Sequence, residues 1–242
     1  TVFEDSKGHL LIGTYIGIQM YDPATDNFTP LAKLEDTGET LESNINSFIE
    51  RKNGEIWVSG NVLCKLDIKD HLLTVRKVDI AVTSPGSLFE DKKQNVWMAK
   101  GEEGVYQLTP DNQLTLHLSK DNGYVKSICE DQRGNIYVGS IRKGLFIYDK
   151  ERKTFVPIDL KEKGELPVCF LYSGIPNELY IGTDGKGVVI YNIRTHEISE
   201  YKFDNNYFDS GNSKIHSILK DNSGNLWFCL LYTSPSPRDM RR

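Results

Sequence analysis

An eleven-residue phrase, EDQRGNIYVGS from Glu130 to Ser140, returns along the whole chain at a spacing that leaves few architectures open. It reads EDSKGHLLIGT from Glu4, ERKNGEIWVSG from Glu50 and EDKKQNVWMAK from Glu90. A looser YSGIPNELYIGT starts at Tyr172, and KDNSGNLWF starts at Lys220. The large residue near the end of each copy is Leu11, Trp57, Trp97, Tyr137, Tyr180 or Trp227, at spacings of 46, 40, 40, 43 and 47 residues. A period of this size without helical patterning belongs to the four-stranded propeller blade.

Each copy supplies its own strands. In the fourth, Val125 to Cys129 alternates, Asp131-Gln-Arg-Gly134 follows as a turn, and Ile136-Tyr137-Val138 is a β-branched and aromatic run. Asp at the first turn position can bond local amides, and Gly at the fourth accepts a positive φ. The same slots hold Asp5 and Gly8, and Asp221 and Gly224. A short polar loop then leads to a third strand, Gly144 to Asp149, paralleled at Gly17 to Asp22, Gly104 to Leu108 and Gly187 to Asn192. Fourth strands are expected at Phe28 to Leu31, Leu73 to Val78, Leu114 to Leu118, Phe155 to Ile158 and Ile198 to Tyr201. The reading is all-β: a β-propeller of four-stranded antiparallel blades, incomplete, with five blades and part of a sixth.

Charge and hydropathy narrow the partners. A net charge of −5 without a basic stripe argues against nucleic acid, and no run of apolar residues is long enough to span a membrane. Thr1-Val2-Phe3 aligns with the middle of an innermost strand, so the chain is read as an internal piece of a longer protein, completed most simply as a seven-bladed ring. Residues 1–228 form the expected partial propeller. From Cys229 the repeat is lost, and CLLYTSPSPRD resembles a sequencing adapter translated in frame, so 229–242 are set aside as a non-native tail.

The order E-D-x-x-G-N-[IL]-[WY]-[VI]-G-[TS], a polar loop, then G-[LVI]-x-x-Y-[DN], resembles the two-component regulator propeller repeat. That repeat builds the extracytoplasmic sensor of hybrid histidine kinases, especially in gut Bacteroidetes. The Trp-Asp dipeptide of WD40 repeats and the double glycine of kelch repeats are missing, and Gly-His occurs once, at Gly8-His9 inside the first turn. Three copies depart from the pattern: the loop after Asn61 is short, Gln94 replaces the turn glycine, and Ser173-Gly-Ile-Pro-Asn177 replaces Asp-x-x-Gly. The resemblance implies a periplasmic, non-catalytic sensor of a glycan breakdown product, a mono- or oligosaccharide, working with the rest of its propeller and a downstream signalling module. It implies no cofactor and no membrane contact by this stretch. A protein-interaction platform is the alternative from another class, and a propeller lyase or glycosidase a third.

No catalytic or metal constellation is read from the residues. Glu4-Asp5, Glu90-Asp91 and Glu130-Asp131 sit at the repeated turn, where a structural role suffices. His9, His71, His117, His196 and His216 are scattered one or fewer per repeat. Cys64, Cys129 and Cys169 occupy different registers and are expected as buried free thiols. Thr1, Ser47, Ser87, Ser127 and Ser217 share one innermost-strand register, with Phe170 breaking the series; packing is preferred there to a hydroxyl-lined channel. The aromatic markers, Trp227 among them, are expected between blades. Ligand contacts are sought on the variable loops between second and third strands and on the longer connections. The candidates are Tyr15, Asn61, Lys100, Glu102, Arg142, Lys143, Asp184 and Lys186, with the segment Asp204 to Asp209.

Overall fold

The computed structural model describes residues 1–118, 123–160, 166–203, 213–221 and 223–232. They form strands and turns with no helix. The chain divides into two compact units, Thr1–Lys100 with Tyr106–Thr115, and Gly101–Val105 with Leu116–Arg242.

The first sheet is β1 (Val2–Glu4), β2 (Leu10–Gly13), β3 (Ile18–Asp22) and β4 (Asn27–Phe28), in that order. The second adds β5 (Lys33–Leu34) to β6 (Ser47–Glu50), β7 (Ile56–Ser59), β8 (Leu63–Lys69) and β9 (Leu72–Lys77). The third is β10 (Leu88–Glu90), β11 (Val96–Lys100), β12 (Gly104–Leu108) and β13 (Leu114–Leu118). The fourth is β14 (Val125–Glu130), β15 (Ile136–Ser140), β16 (Gly144–Asp149) and β17 (Thr154–Pro157). The fifth is β18 (Val168–Ile175), β19 (Glu178–Thr183), β20 (Val188–Asn192) and β21 (Ile198–Glu200), and the sixth is the pair β22 (Ser213–Lys220) and β23 (Leu226–Tyr232).

Two details depart from the repeat reading. The second sheet has five strands in the order β5-β9-β8-β7-β6, because Lys33–Leu34 of the preceding linker pairs parallel to Thr74 and Val75. Second, Trp227 is 62% exposed, whereas Trp57, Trp97, Tyr137 and Tyr180 are 5% exposed or less. Trp57, Tyr137 and Tyr180 each pack with buried residues of the sheet that follows their own. The strand β23 itself runs across the boundary drawn at residue 228 as far as Tyr232, and 233–242 lie outside the described residues.

The turn aspartate does more than shape its own loop. Asp131 Oδ1 accepts from the amides of Arg133 (2.8 Å) and Asn135 (2.9 Å), and Oδ2 from Asn135 Nδ2 (2.8 Å) and the Tyr137 hydroxyl (3.3 Å). Asp91 does the same for Lys93, Asn95 and Trp97 Nε1. Asp221 does so for Ser223, Asn225 and Trp227 Nε1, which together hold its carboxyl down at about 2. One carboxylate therefore ties the turn to the aromatic ring six residues on, and this is the physical content of D-x-x-G-N-x-[WY]. Where the aspartate is replaced, a glutamate two residues before the ring takes over. Glu55 accepts from Trp57 Nε1 (3.0 Å) and Lys65 Nζ (2.7 Å), and Lys65 above all holds its carboxyl down at about 2. Glu178 accepts from the Tyr180 hydroxyl at 2.9 Å. The missing turn glycine is also absorbed locally: Gln94 takes φ 65°, close to the 79° of Gly134.

The small residue that follows the aromatic run is set by the next sheet. A Cβ on Gly13 would stand 2.5 Å from Ile45 Cγ2, one on Gly139 2.4 Å from Val168 Cγ1, and one on Gly182 2.5 Å from Ile215 Cγ2. In each case a β-branched side chain entering the next first strand fills the space that glycine leaves. In the second sheet Ser59 occupies the glycine's place and donates its hydroxyl to the backbone carbonyl of Gly86 at 2.6 Å.

Cys64, Cys129 and Cys169 are buried and free. Burial pushes Cys64 up to about 11 and Cys129 up to about 12, and raises Cys169 as well. A thiol-specific reagent at neutral pH should therefore modify the exposed Cys229 rapidly and the other three only after denaturation, a result that mass spectrometry of the labelled native chain reads directly. Rapid native labelling of Cys129 would contradict the burial of β14.

Candidate functional site

The loops between second and third strands are built alike. The hydroxyl residue that ends the second strand turns inward and organises the loop: Thr183 Oγ1 donates to the Gly187 carbonyl (2.7 Å) and accepts from the Lys186 amide (3.0 Å). Thr14 Oγ1 does so with Gly17 and Ile16, and Ser140 Oγ accepts from the Lys143 amide at 3.2 Å. The Gly-[Thr/Ser] ending of the repeat thus combines a close approach with a loop anchor. Gly17 has φ 140°, and a Cβ there would lie 2.6 Å from the Leu41 carbonyl oxygen.

Within the first unit, this anchoring leaves Tyr15 and Ile16 at a loop tip, 86% and 62% exposed. Asn61 donates its amide to Ser43 Oγ, and its carbonyl accepts from the amide of Ser84 at 2.9 Å. Lys100 Nζ donates to Thr83 Oγ1 at 3.2 Å, so Asn61 and Lys100 both touch the linker at Thr83–Ser84.

In the second unit the loops carry ion pairs. Arg142 Nη2 lies 3.0 Å from Glu102 Oε1, with the two side chains 64% and 63% exposed, and Lys143 is next on the same loop. Asp184 Oδ2 accepts from Lys214 Nζ at 2.6 Å, a bond that holds the lysine above its usual range. The candidates Glu102 and Arg142 are thus brought together, and Asp184 is joined to a residue the sequence reading did not name. Lys214 was missed because it enters β22, in a stretch read as inner strand; the bridge between Asp184 and Lys214 puts it at the loop. Lys186 is placed through its amide on Thr183. The segment Asp204 to Asp209 lies outside the described residues.

The innermost serines are engaged in packing. Ser127 Oγ accepts from the amide of Leu171 at 3.0 Å and Ser47 Oγ from that of Leu88 at 3.4 Å, each binding its sheet to the next one. Histidines are likewise used locally: His9 Nδ1 is 2.7 Å from Asp5, His117 Nδ1 3.0 Å from the Lys153 carbonyl, and His196 Nδ1 2.6 Å from the Tyr191 hydroxyl. Among the described residues no three His, Cys, Asp or Glu side chains group as metal ligands.

This geometry can hold a polar ligand through charged hydrogen bonds at a rigid loop face, and comparison with known proteins gives it a family context. The sequence model of the two-component regulator propeller matches residues 119–142, the stretch that runs through β14 and β15. No curated protein matches the chain by sequence. Among solved structures, a domain described as the extracellular part of a hybrid two component system from B. thetaiotaomicron is 18% identical over 96% of this chain and 33% of its own, with a TM-score of 0.71. The virginiamycin B lyase of Staphylococcus aureus is 14% identical over 94% of this chain and 75% of its own, with a TM-score of 0.70. PorZ, a bacterial surface component of the type-IX secretion system of Porphyromonas gingivalis, is 14% identical over 94% and 36%, also at 0.70. These likenesses establish the propeller fold. The chain spans about a third of the two-component domain that it matches.

Proposed function

We propose that this chain is part of a non-catalytic, ligand-sensing propeller of a two-component sensor, acting outside the cytoplasmic membrane, with a mono- or oligosaccharide from glycan breakdown as its ligand. The observation that carries this reading is the exposed Glu102–Arg142 pair, with Arg142 and Lys143 on a loop that the buried Ser140 hydroxyl anchors at the end of the matched regulator-propeller repeat. Planar guanidinium and carboxylate groups held on a rigid scaffold suit sugar hydroxyls and uronate carboxylates. No helix among the described residues is long and apolar enough to cross a membrane.

Calorimetric titration with a panel of neutral and acidic mono- and oligosaccharides tests the proposal. Replacing Arg142 or Lys143 by Ala should weaken binding of the responding sugar about tenfold, the loss of one charge-assisted hydrogen bond. Both are loop charges of the solvent face, so the melting temperature should move little. Unchanged affinity in both variants would move the site off this face. Turnover of the sugar, read by chromatography of the incubated mixture, would instead favour the enzyme reading that the likeness to a lyase keeps open.

A further inference from the structure

Tyr124, at the entry to β14, is a residue that the repeat pattern does not single out. Its backbone is held from two sides: the Tyr124 carbonyl accepts from the Ile141 amide at 2.9 Å, and the next amide, that of Val125, donates to the Gly101 carbonyl at 2.8 Å. The loop that carries Glu102 and the loop that carries Arg142 are thereby tied to one short stretch of backbone. The hydroxyl end of the Tyr124 ring lies against Gly101, where a Cβ would stand 3.1 Å from Cε2 and 3.2 Å from Cζ, and where φ is 45°. Glycine alone leaves that space open and accepts that φ without strain. Gly123, just before the tyrosine, lets the chain pass close to the neighbouring stems: a Cβ there would stand 2.9 Å from Arg142 Cβ and 3.2 Å from Lys143 Cγ.

A partly open aromatic ring therefore adjoins an exposed ion pair. Tyr124 is 40% exposed although its hydroxyl end is packed, and Arg142 Nη2 meets Glu102 Oε1 at 3.0 Å on the same two loops. The three side chains offer unlike contacts. An aromatic face carries partial negative charge and attracts polarised C–H groups, a carboxylate accepts from hydroxyls, and a guanidinium donates to them. A pyranose with equatorial hydroxyls is divided in the same way, with C–H groups on its face and hydroxyls around its rim.

We propose that Tyr124 is the stacking residue of the loop site: a pyranose lies with its C–H face on the Tyr124 ring, and its rim hydroxyls bond to the Glu102–Arg142 pair and to Lys143. This rests on the sugar reading given above and narrows it to pyranoses that have an apolar face. A neutral sugar uses the ion pair as it stands, donating to the carboxylate and accepting from the guanidinium. Tyr124 fixes the ring plane, and the charges choose among hydroxyl patterns.

Saturation-transfer NMR of the full chain with methyl β-D-glucopyranoside and methyl β-D-galactopyranoside tests this, since each has a C–H face. Transfer should be strongest to the ring protons of that face. Tyr124→Phe should bind as the parent does, whereas Tyr124→Leu, which still covers Gly101 with apolar surface, should raise the Kd about tenfold and lose the preference for the face protons. Because the side chain is partly exposed, circular dichroism should show both variants folded. If Tyr124→Leu binds like the parent while Arg142→Ala weakens binding, the ring has no part in the site and the loop reading stands without it. Equal losses in Tyr124→Phe and Tyr124→Leu would assign the effect to the hydroxyl and overturn stacking. If neither glycoside receives saturation from the parent chain, the pyranose assignment fails, and a sugar panel that also gives no calorimetric response removes the sugar reading itself.

Discussion

Asp131→Ala should lower the stability of the chain by about 2 to 4 kcal/mol, measured by chemical denaturation with native labelling of Cys129 as a local readout. The carboxylate is 4% exposed and accepts four hydrogen bonds. Its removal frees two turn amides that water can partly reach, but it also leaves the Tyr137 hydroxyl without its acceptor beneath a ring that is 1% exposed. An unmet buried donor carries its full desolvation cost, unlike a surface bond exchanged with water. The double variant Asp131→Ala with Tyr137→Phe removes donor and acceptor together, so it should recover part of the loss despite carrying an extra substitution. Asp221→Ala, at a turn of the same D-x-x-G-N pattern whose ring is mostly exposed, should cost clearly less. Equal losses at the two sites would mean that the turn amides, and not the ring, dominate.

Much of this was legible in the chain because a repeat states its local rules several times over. Strand order, turn position and the burial of Trp57, Trp97, Tyr137 and Tyr180 all follow from periodicity and turn chemistry within one copy. What could not be read were the bonds that join copies. The bonds that Glu50 accepts from Ser6 and Glu90 accepts from Lys52, and the seating of Val168 against Gly139, link residues of different copies. No local propensity distinguishes them. Trp227 fails for the same reason: its position in the repeat promises burial, but burial is conferred by a neighbouring sheet, not by the residue. The parallel strand β5 was invisible because a two-residue pairing of a linker has no period to detect.

The candidate site was half legible. Loops stand out as the places where the repeat varies, and that put Glu102, Arg142, Lys143, Asp184 and Lys186 on one kind of loop. Their pairing was not foreseen, since Glu102 and Arg142 belong to different copies and meet only across sheets. Lys214 was hidden by lying in an element whose pattern reads as structural. A carboxylate already seated on Arg142 also bears on affinity: any acidic ligand must displace Glu102 before it can use the guanidinium, so part of its binding energy replaces an existing bond.

Gly139→Val should be the most damaging single change outside the turn, costing about 3 kcal/mol or more. A mere Cβ at this position would stand 2.4 Å from Val168 Cγ1 and 3.2 Å from Val168 Cβ. Val168 itself is fully buried, and the strand that carries it pairs with β19 on its other side, so the obstruction cannot swing into solvent. Either β18 moves away from β15, which opens the core that Leu145, Leu171 and Ile181 fill, or the new side chain is forced off its rotamer. The obstruction is the Val168 side chain itself, so the compensating change is to remove it. Gly139→Ser combined with Val168→Gly should therefore be more stable than Gly139→Ser alone, even though Val168→Gly by itself removes buried apolar surface and adds backbone freedom. Thermal melts of the three variants decide the matter. If the double variant melts no higher than Gly139→Ser alone, the glycine is required by its own strand and not by the sheet that follows.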